Sequence, residues 1–171
     1  ATTMSGTLIL SANGVTAETT ISGLTDTDSR LMEPGGLFFA KPGEFTDGHL
    51  FIPAAIENGA STAVVDHEVN EDIPQIIVND TVDALGHLAA HVVAHVREAT
   101  ELTIIGITGS NGKTTTKNLV AAMCATLGPT VSPRDSFNNE VGAPLTMLKL
   151  AHDTRYLVLE LGASGIGHIQ R

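Results

Sequence analysis

Up to residue 80 the apolar residues of this chain come in short runs, and beyond it their period lengthens. TLIL (7–10), ISGL (21–24), GLFFA (36–40), TAVVD (62–66) and QIIV (75–78) are bounded by Gly, Pro, Asn and Asp and predict strands. GHLFIPAAIENG, from Gly48 to Gly59, predicts a short helix that stops at Gly59. From Thr81 to Ala99, Leu85, Leu88, Val92 and Val96 recur on one face, the signature of an amphipathic helix. The second half then reads strand, loop, helix, strand, helix, strand. Its strands are a buried β-branched run at 102–107, TVS (130–132) and RYLVLEL (155–161). One helix follows the loop from Lys113, another spans Pro144 to Leu150, and GIGHIQ (165–170) starts a third.

Strands alternating with helices predict an α/β protein with a parallel sheet. The expected organisation is a small mixed α/β domain over 1–98, then a P-loop parallel-sheet domain over 99–171. A nucleotide-binding sheet of three strands is small, which predicts that the chain is a fragment.

The chain has 171 residues, 42% hydrophobic and 16% charged, and therefore the makings of a core. Its net charge of −10, from 9 Lys and Arg against 19 Asp and Glu, argues against nucleic acid or anionic membranes as partners. With no signal-like segment and no apolar run near the length of a membrane span, a cytoplasmic protein without membrane insertion is expected. Cys124, the one cysteine, lies in the helix after the loop and reads as a small buried apolar residue.

Candidate chemistry concentrates at LTIIGITGSNGKTTTKNLVAAMCAT (102–126). After an apolar strand, Gly109, Ser110, Asn111 and Gly112 form a glycine loop, and Lys113, Thr114 and Thr115 open a helix. Inward N–H groups, the helix N-terminus and the lysine together suit a polyphosphate, and the Thr114 hydroxyl suits Mg²⁺. ATP with Mg²⁺ is the expected cargo. The spacing is not the common G-x-x-x-x-G-K-[ST], because Ile107 stands five places before Gly112 and Gly106 is one place too early. It is the shorter G-x-x-G-K-T-T.

Glu160 ends an apolar strand, where carboxylates of open α/β sheets meet ligands, and is a candidate Mg²⁺ ligand or a solvated strand end. Ser136-Phe137-Asn138-Asn139-Glu140 is a polar loop entering a helix. Asn138 or Asn139 could serve as its N-cap with Pro144 in the first turn, or offer an amide to a ligand. Asp28-Ser29-Arg30 precedes a strand, and Arg30 could fork onto a diphosphate or simply decorate a turn. His87, His91 and His95 repeat every fourth residue on the flank of the helix 81–99, and a solvated flank accounts for them better than a metal site.

Together, Gly109–Thr115, Asp28-Ser29-Arg30 with Pro34–Ala40, Ser136–Glu140 and Glu160-Leu161-Gly162-Ala163 resemble the Mur ligases of bacterial cell-wall synthesis. The resemblance runs from about Ile21 to Gln170 and is strongest to the branch that adds D-alanyl-D-alanine to a UDP-N-acetylmuramoyl tripeptide. It implies that ATP phosphorylates the tripeptide carboxylate and that the dipeptide amine then displaces phosphate. By position, Gly109 to Thr115 would hold ATP, Lys113 its terminal phosphates, and Thr114 and Glu160 Mg²⁺. Asn138 and Asn139 would lie by the muramoyl peptide, with Lys113, Asn138 and Glu160 as the catalytic set. Ser29 and Arg30 would lie near the UDP end, and the full-length protein would be a monomer.

Residues 1–20 lack the family's usual opening helix. The family's later central-domain residues, a modified lysine among them, and its closing C-terminal domain have no counterpart before Arg171. A fragment inactive by itself is the expectation. The alternatives are a sister ligase adding L-Lys or meso-diaminopimelate to the dipeptide carrier, or a non-catalytic UDP-sugar-peptide or nucleotide-binding module. A folate-type ligase shares a similar loop but fits the Asp28-Ser29-Arg30 half less well.

Overall fold

The computed structural model describes residues 2–9, 20–43, 46–133 and 139–162. Its strands are β1 (Thr7–Ile9), β2 (Thr25–Asp26), β3 (Gly36–Phe39), β4 (Ala60–Val65), β5 (Gln75–Ile77), β6 (Thr103–Ile107), β7 (Thr130–Val131) and β8 (Tyr156–Glu160). Its α-helices are α1 (Ile52–Glu57), α2 (Thr81–Ala99), α3 (Lys113–Ala125) and α4 (Gly142–Met147), and 3-10 turns cover Ser29–Leu31 and Gly48–Phe51. By its contacts the chain divides within α2 into two units, 1–85 and 86–171.

In the first unit a five-stranded sheet runs β1-β5-β4-β3-β2, parallel except for β1 against β5. β3 and β4 are buried on both faces, which is why they read as continuous apolar runs rather than alternating ones. Phe38, Ala63 and Val65 pack with Ile52 and Ala55 of α1 and with Met32 and Ile73. α1 ends where Gly59 takes φ +106 and its N–H bonds to Ile56 O at 2.9 Å. A Cβ there would lie 2.6 Å from Pro34 N, so glycine is required. The helix expected over 48–59 therefore has two parts, a 3-10 turn capped by the Asp47 side chain and then α1.

The strand expected over 21–24 is not formed. Ser22 and Gly23 both donate to Gly35 O, and the Leu24 N–H goes to the Glu33 side chain, so these donors serve a tight crossing of chains. Pairing in a ladder begins only at Thr25 opposite Leu37.

α2 follows the amphipathic reading end to end. Asp80 Oδ1 accepts from the N–H groups of Val82 and Asp83 and caps it. Ala84, Leu85, Ala89 and Val96 are buried, and His87, His91 and His95 are exposed, as a solvated flank requires.

In the second unit a parallel sheet is ordered β6-β8-β7. β8 is central and buried from Leu157 to Glu160. β6, expected to be buried, is not: Ile104 is 40% exposed. It is an edge strand among the described residues, with β8 on one side only. α3 buries Lys117 and Cys124, the latter a free thiol in the packed position expected of it. No helix of the described residues is long and apolar enough to cross a membrane.

Candidate functional site

The register of β6 on β8 builds the site. Ile107, the last residue of β6, sits opposite Glu160, the last of β8, and Leu161 N–H closes the pairing on Ile107 O at 2.9 Å. The chain then leaves β6 into the glycine loop, with Gly109 at φ +146 and Gly112 at φ +76. Side chains resist both conformations, and a Cβ on Gly112 would meet nothing within 4 Å. Open space over a left-handed glycine is what an approaching phosphate requires. α3 starts directly after Gly112, an N-cap residue with no side chain to cover its first N–H groups. Its N-terminus is thus free to serve an anion.

Two loop side chains are already committed. Lys113 Nζ donates to Gly109 O at 2.7 Å and spans the loop. Thr114 Oγ1 donates to Glu160 Oε2 at 2.8 Å. Glu160 is only 2% exposed, so this carboxylate is held at the strand tip away from bulk water. The pair is a donor set of two hard oxygens. Cis ligands on an octahedral Mg²⁺ with bonds of 2.0–2.1 Å stand roughly 2.9 Å apart, and the Thr114–Glu160 spacing fits that ion.

Lys117, one helical turn after Lys113, is fully buried and donates to Pro133 O, tying α3 to the segment that follows β7. Sequence reading missed it because its position on α3 looks like any exposed helix lysine. The polar loop after Pro133 is described only from Asn139 onward. Ser136, Phe137 and Asn138 lie outside the described residues, as do Ala163 and the helix expected at 165–170. Asn139 Oδ1 accepts from Gly142 N at 2.8 Å and Val141 N at 3.3 Å, a side-chain turn just ahead of α4, whose N-cap is Val141 rather than the expected Asn139. A ligand contact from Asn139 would therefore use its amide nitrogen.

In the first unit, Arg30 forks onto Asp28. Nε reaches Oδ1 at 2.9 Å and Nη2 reaches Oδ2 at 2.6 Å. The hydrogen bond from the Arg30 side chain is the main reason the Asp28 carboxyl sits below its ordinary value of 3.8. The Arg30 side chain is 84% exposed, while Ser29 beside it is buried. Arg30 is thus a solvent-facing planar cation preset in bidentate geometry, and Ser29 is part of the turn that holds it.

Comparisons with known proteins place the chain in a family. The family model for the Mur ligase catalytic domain matches residues 21–93, and that for the Mur ligase middle domain matches residues 107–171. The UDP-N-acetylmuramoyl-tripeptide–D-alanyl-D-alanine ligase of Synechocystis is 42% identical over 146 residues, covering 84% of this chain and 31% of its own. A crystal structure of MurF from Acinetobacter baumannii superposes with a TM-score of 0.81 at 35% identity, over 95% of this chain and 34% of that one. MurF from Thermotoga maritima, solved in complex with ADP, gives 0.74 at 32% identity, over 87% of this chain and 34% of that one. The chain spans about a third of the length of the relatives it matches.

Proposed function

This chain belongs to the Mur ligase family, and we propose that it is the substrate-binding and phosphate-binding front portion of an ATP-dependent ligase joining D-alanyl-D-alanine to a UDP-N-acetylmuramoyl tripeptide. The observation that carries this reading is the phosphate loop with Thr114 and Glu160 paired at 2.8 Å beside it. Residues 1–98 would take the UDP-muramoyl peptide and residues 99–171 the nucleotide.

Amide formation from a carboxylate and an amine in water is uphill, so the carboxylate must be activated. Transfer of the ATP γ-phosphoryl group to the tripeptide carboxylate oxygen gives an acyl phosphate and ADP. The free amine of D-alanyl-D-alanine then attacks the acyl carbon. The tetrahedral adduct expels inorganic phosphate, and loss of the amine proton leaves the new amide.

The chain's own residues supply positioning and charge. N–H groups of Gly109 to Gly112 and the start of α3 cradle phosphate oxygens. Lys113 exchanges its bond to Gly109 O for the terminal phosphates and offsets the charge on the transferring group. Thr115 completes the nucleotide-facing turn. Thr114 and Glu160 would hold Mg²⁺, which when bound neutralises phosphoryl charge and polarises the group toward attack. Asn138 and Asn139 would contact the muramoyl peptide, and Arg30, positioned with Ser29, would exchange Asp28 for the diphosphate of UDP. On this reading the enzyme works as a monomer in the bacterial cytoplasm.

The test is phosphate release by the full-length protein. Release that requires ATP, the UDP-muramoyl tripeptide and D-alanyl-D-alanine together supports the assignment. Release that instead requires the dipeptide carrier with L-Lys or meso-diaminopimelate assigns the sister ligase.

A further inference from the structure

We propose that His49, Asp66 and His67 form a binding site for one transition-metal dication, with Zn²⁺ the best fit, in the first unit. The ligand-capable atoms of these three residues all lie within 4.8 Å of one another, and they are the one such group among the described residues.

Two chain segments bring the residues together. Asp66 and His67 follow directly on β4, while His49 lies in the 3-10 turn before α1. That turn is pinned to the exit of β3 by Gly48, whose N–H donates to Lys41 O at 3.0 Å. A Cβ on Gly48 would lie 2.5 Å from the same oxygen, so only glycine allows the approach. The imidazoles of His49 and His67 then stack with centroids 4.3 Å apart and planes 27° from parallel.

The hydrogen bonds set the tautomer a metal needs at His49. His49 Nδ1 faces Asp47 Oδ1 at 2.6 Å. A carboxylate only accepts, so Nδ1 carries the proton and Nε2 keeps its lone pair. Nε2 points to Asp66, with Oδ1 at 3.4 Å and a long contact from the Asp66 N–H also at 3.4 Å. His67 Nδ1 lies against the same Asp66 Oδ1. Donors on a tetrahedral ion with 2.0–2.1 Å bonds stand roughly 3.3–3.4 Å apart, so His49 Nε2 and Asp66 Oδ1 already have that spacing. His67 Nδ1 carries a proton toward Asp66 Oδ1 by the same rule, so binding must release that proton and move the ring outward to complete a face. The ring is free to move, because its side chain is 61% exposed while that of His49 is 6% exposed.

Two imidazoles and one carboxylate are the donor set of Zn²⁺, Co²⁺ or Ni²⁺ rather than of Mg²⁺ or Ca²⁺. Asp47 behind His49 supplies the outer carboxylate that raises the basicity of a ligating imidazole. The exposed side at His67 gives the ion a way in and leaves a position for water. A bound ion would clip the end of β4 to the turn before α1. The proposal is independent of the ligase reading.

The test is titration of the chelator-stripped 171-residue chain with Co²⁺, followed by visible absorption, with Zn²⁺ as competitor and far-UV circular dichroism to verify folding. The expected result is one equivalent of Co²⁺ giving tetrahedral-type bands that Zn²⁺ removes. Asp66→Asn and His67→Ala should abolish the bands, Asp47→Asn should weaken affinity about 10–100-fold, and His91→Ala on α2 should change nothing. His67→Ala removes an exposed ring and should leave the fold intact, with His67→Gln as a second variant at that position. Absence of bands in the folded wild-type chain would overturn the proposal. So would bands that survive both Asp66→Asn and His67→Ala, or that vanish with His91→Ala.

Discussion

Thr114 Oγ1 and Glu160 Oε2 meet at 2.8 Å although 46 residues separate them in sequence. The strand register makes the meeting unavoidable, since Ile107 and Glu160 are opposite partners and Thr114 opens the helix that follows Ile107 by one loop. Each side chain supplies an oxygen that the other keeps in place. Glu160→Gln preserves the size and the hydrogen bond from Thr114 while removing the charge. In the full-length protein it should lower kcat about 10²-fold or more and weaken the dependence on Mg²⁺. Thr114→Val should reduce activity in the same direction. Steady-state rates across a Mg²⁺ titration check both, and an unchanged Mg²⁺ profile in Glu160→Gln would remove Glu160 from the metal site.

Lys113 lies across its own loop with Nζ on Gly109 O, a bond that a phosphate must replace. Lys113→Met keeps the stem and deletes the cation. Nucleotide binding measured by calorimetry should fall at least about tenfold, because a charge-assisted hydrogen bond to phosphate contributes about 1.5–3 kcal/mol. The exposed site makes the folded state indifferent to the change, so the thermal midpoint should hold. ATP affinity equal to wild type would mean that the loop amides bind phosphate unaided.

How much of this was legible in sequence differs residue by residue. α2 could be read to its ends because a 3.6-residue period and a polar flank agree, and the structure adds an Asp80 cap. The glycine loop could be read because Gly109 and Gly112 mark its positive-φ positions locally. The strand expected at 21–24 failed because apolar content there serves a chain crossing at Gly35, a tertiary contact with no local signature. The burial of β6 differs from the expectation because composition does not say which strand lies at an edge, as β6 does among the described residues. The regular histidine spacing on α2 was legible as a solvated flank, and His87, His91 and His95 do face solvent. The histidines that do converge, His49 and His67, come from separate turns joined only by the packing of β3 and β4.

Asp28 titrates as a reporter of the Arg30 fork. Its carboxyl is lowered below 3.8, chiefly by the hydrogen bond from the Arg30 side chain, against the opposing effect of partial burial. A lowered folded-state pKa means that the unfolded chain binds the proton first as pH falls. The stabilisation from this pair is therefore complete above the unfolded value and drains away as pH drops through the folded one. Carboxyl NMR should find Asp28 titrating below 3.8 in the wild type and returning toward it in Arg30→Gln. If Arg30 also meets the UDP diphosphate, adding the UDP-muramoyl peptide should pull the guanidinium from Asp28 and raise the Asp28 value. No shift on saturation would leave Arg30 as a turn residue.

Phe38 is fully buried in β3, against Ile52, Ala55 and Val65. Phe38→Ala should destabilise the first unit by about 3–5 kcal/mol, from lost apolar transfer and the cavity left behind. Gly59→Ala should cost about 1–3 kcal/mol for a different reason, since φ +106 strains any side chain and its Cβ collides with the Pro34 backbone. The two variants separate packing from backbone strain at the two ends of the β3–α1–β4 connection. Phe38→Leu refills part of the cavity and should recover stability. Gly59→Asn, which tolerates positive φ better than Ala but keeps the collision, should recover little. Urea unfolding of all four reads the difference directly. A Gly59→Asn midpoint equal to that of wild type would show that strain, rather than the Pro34 contact, is what glycine relieves there.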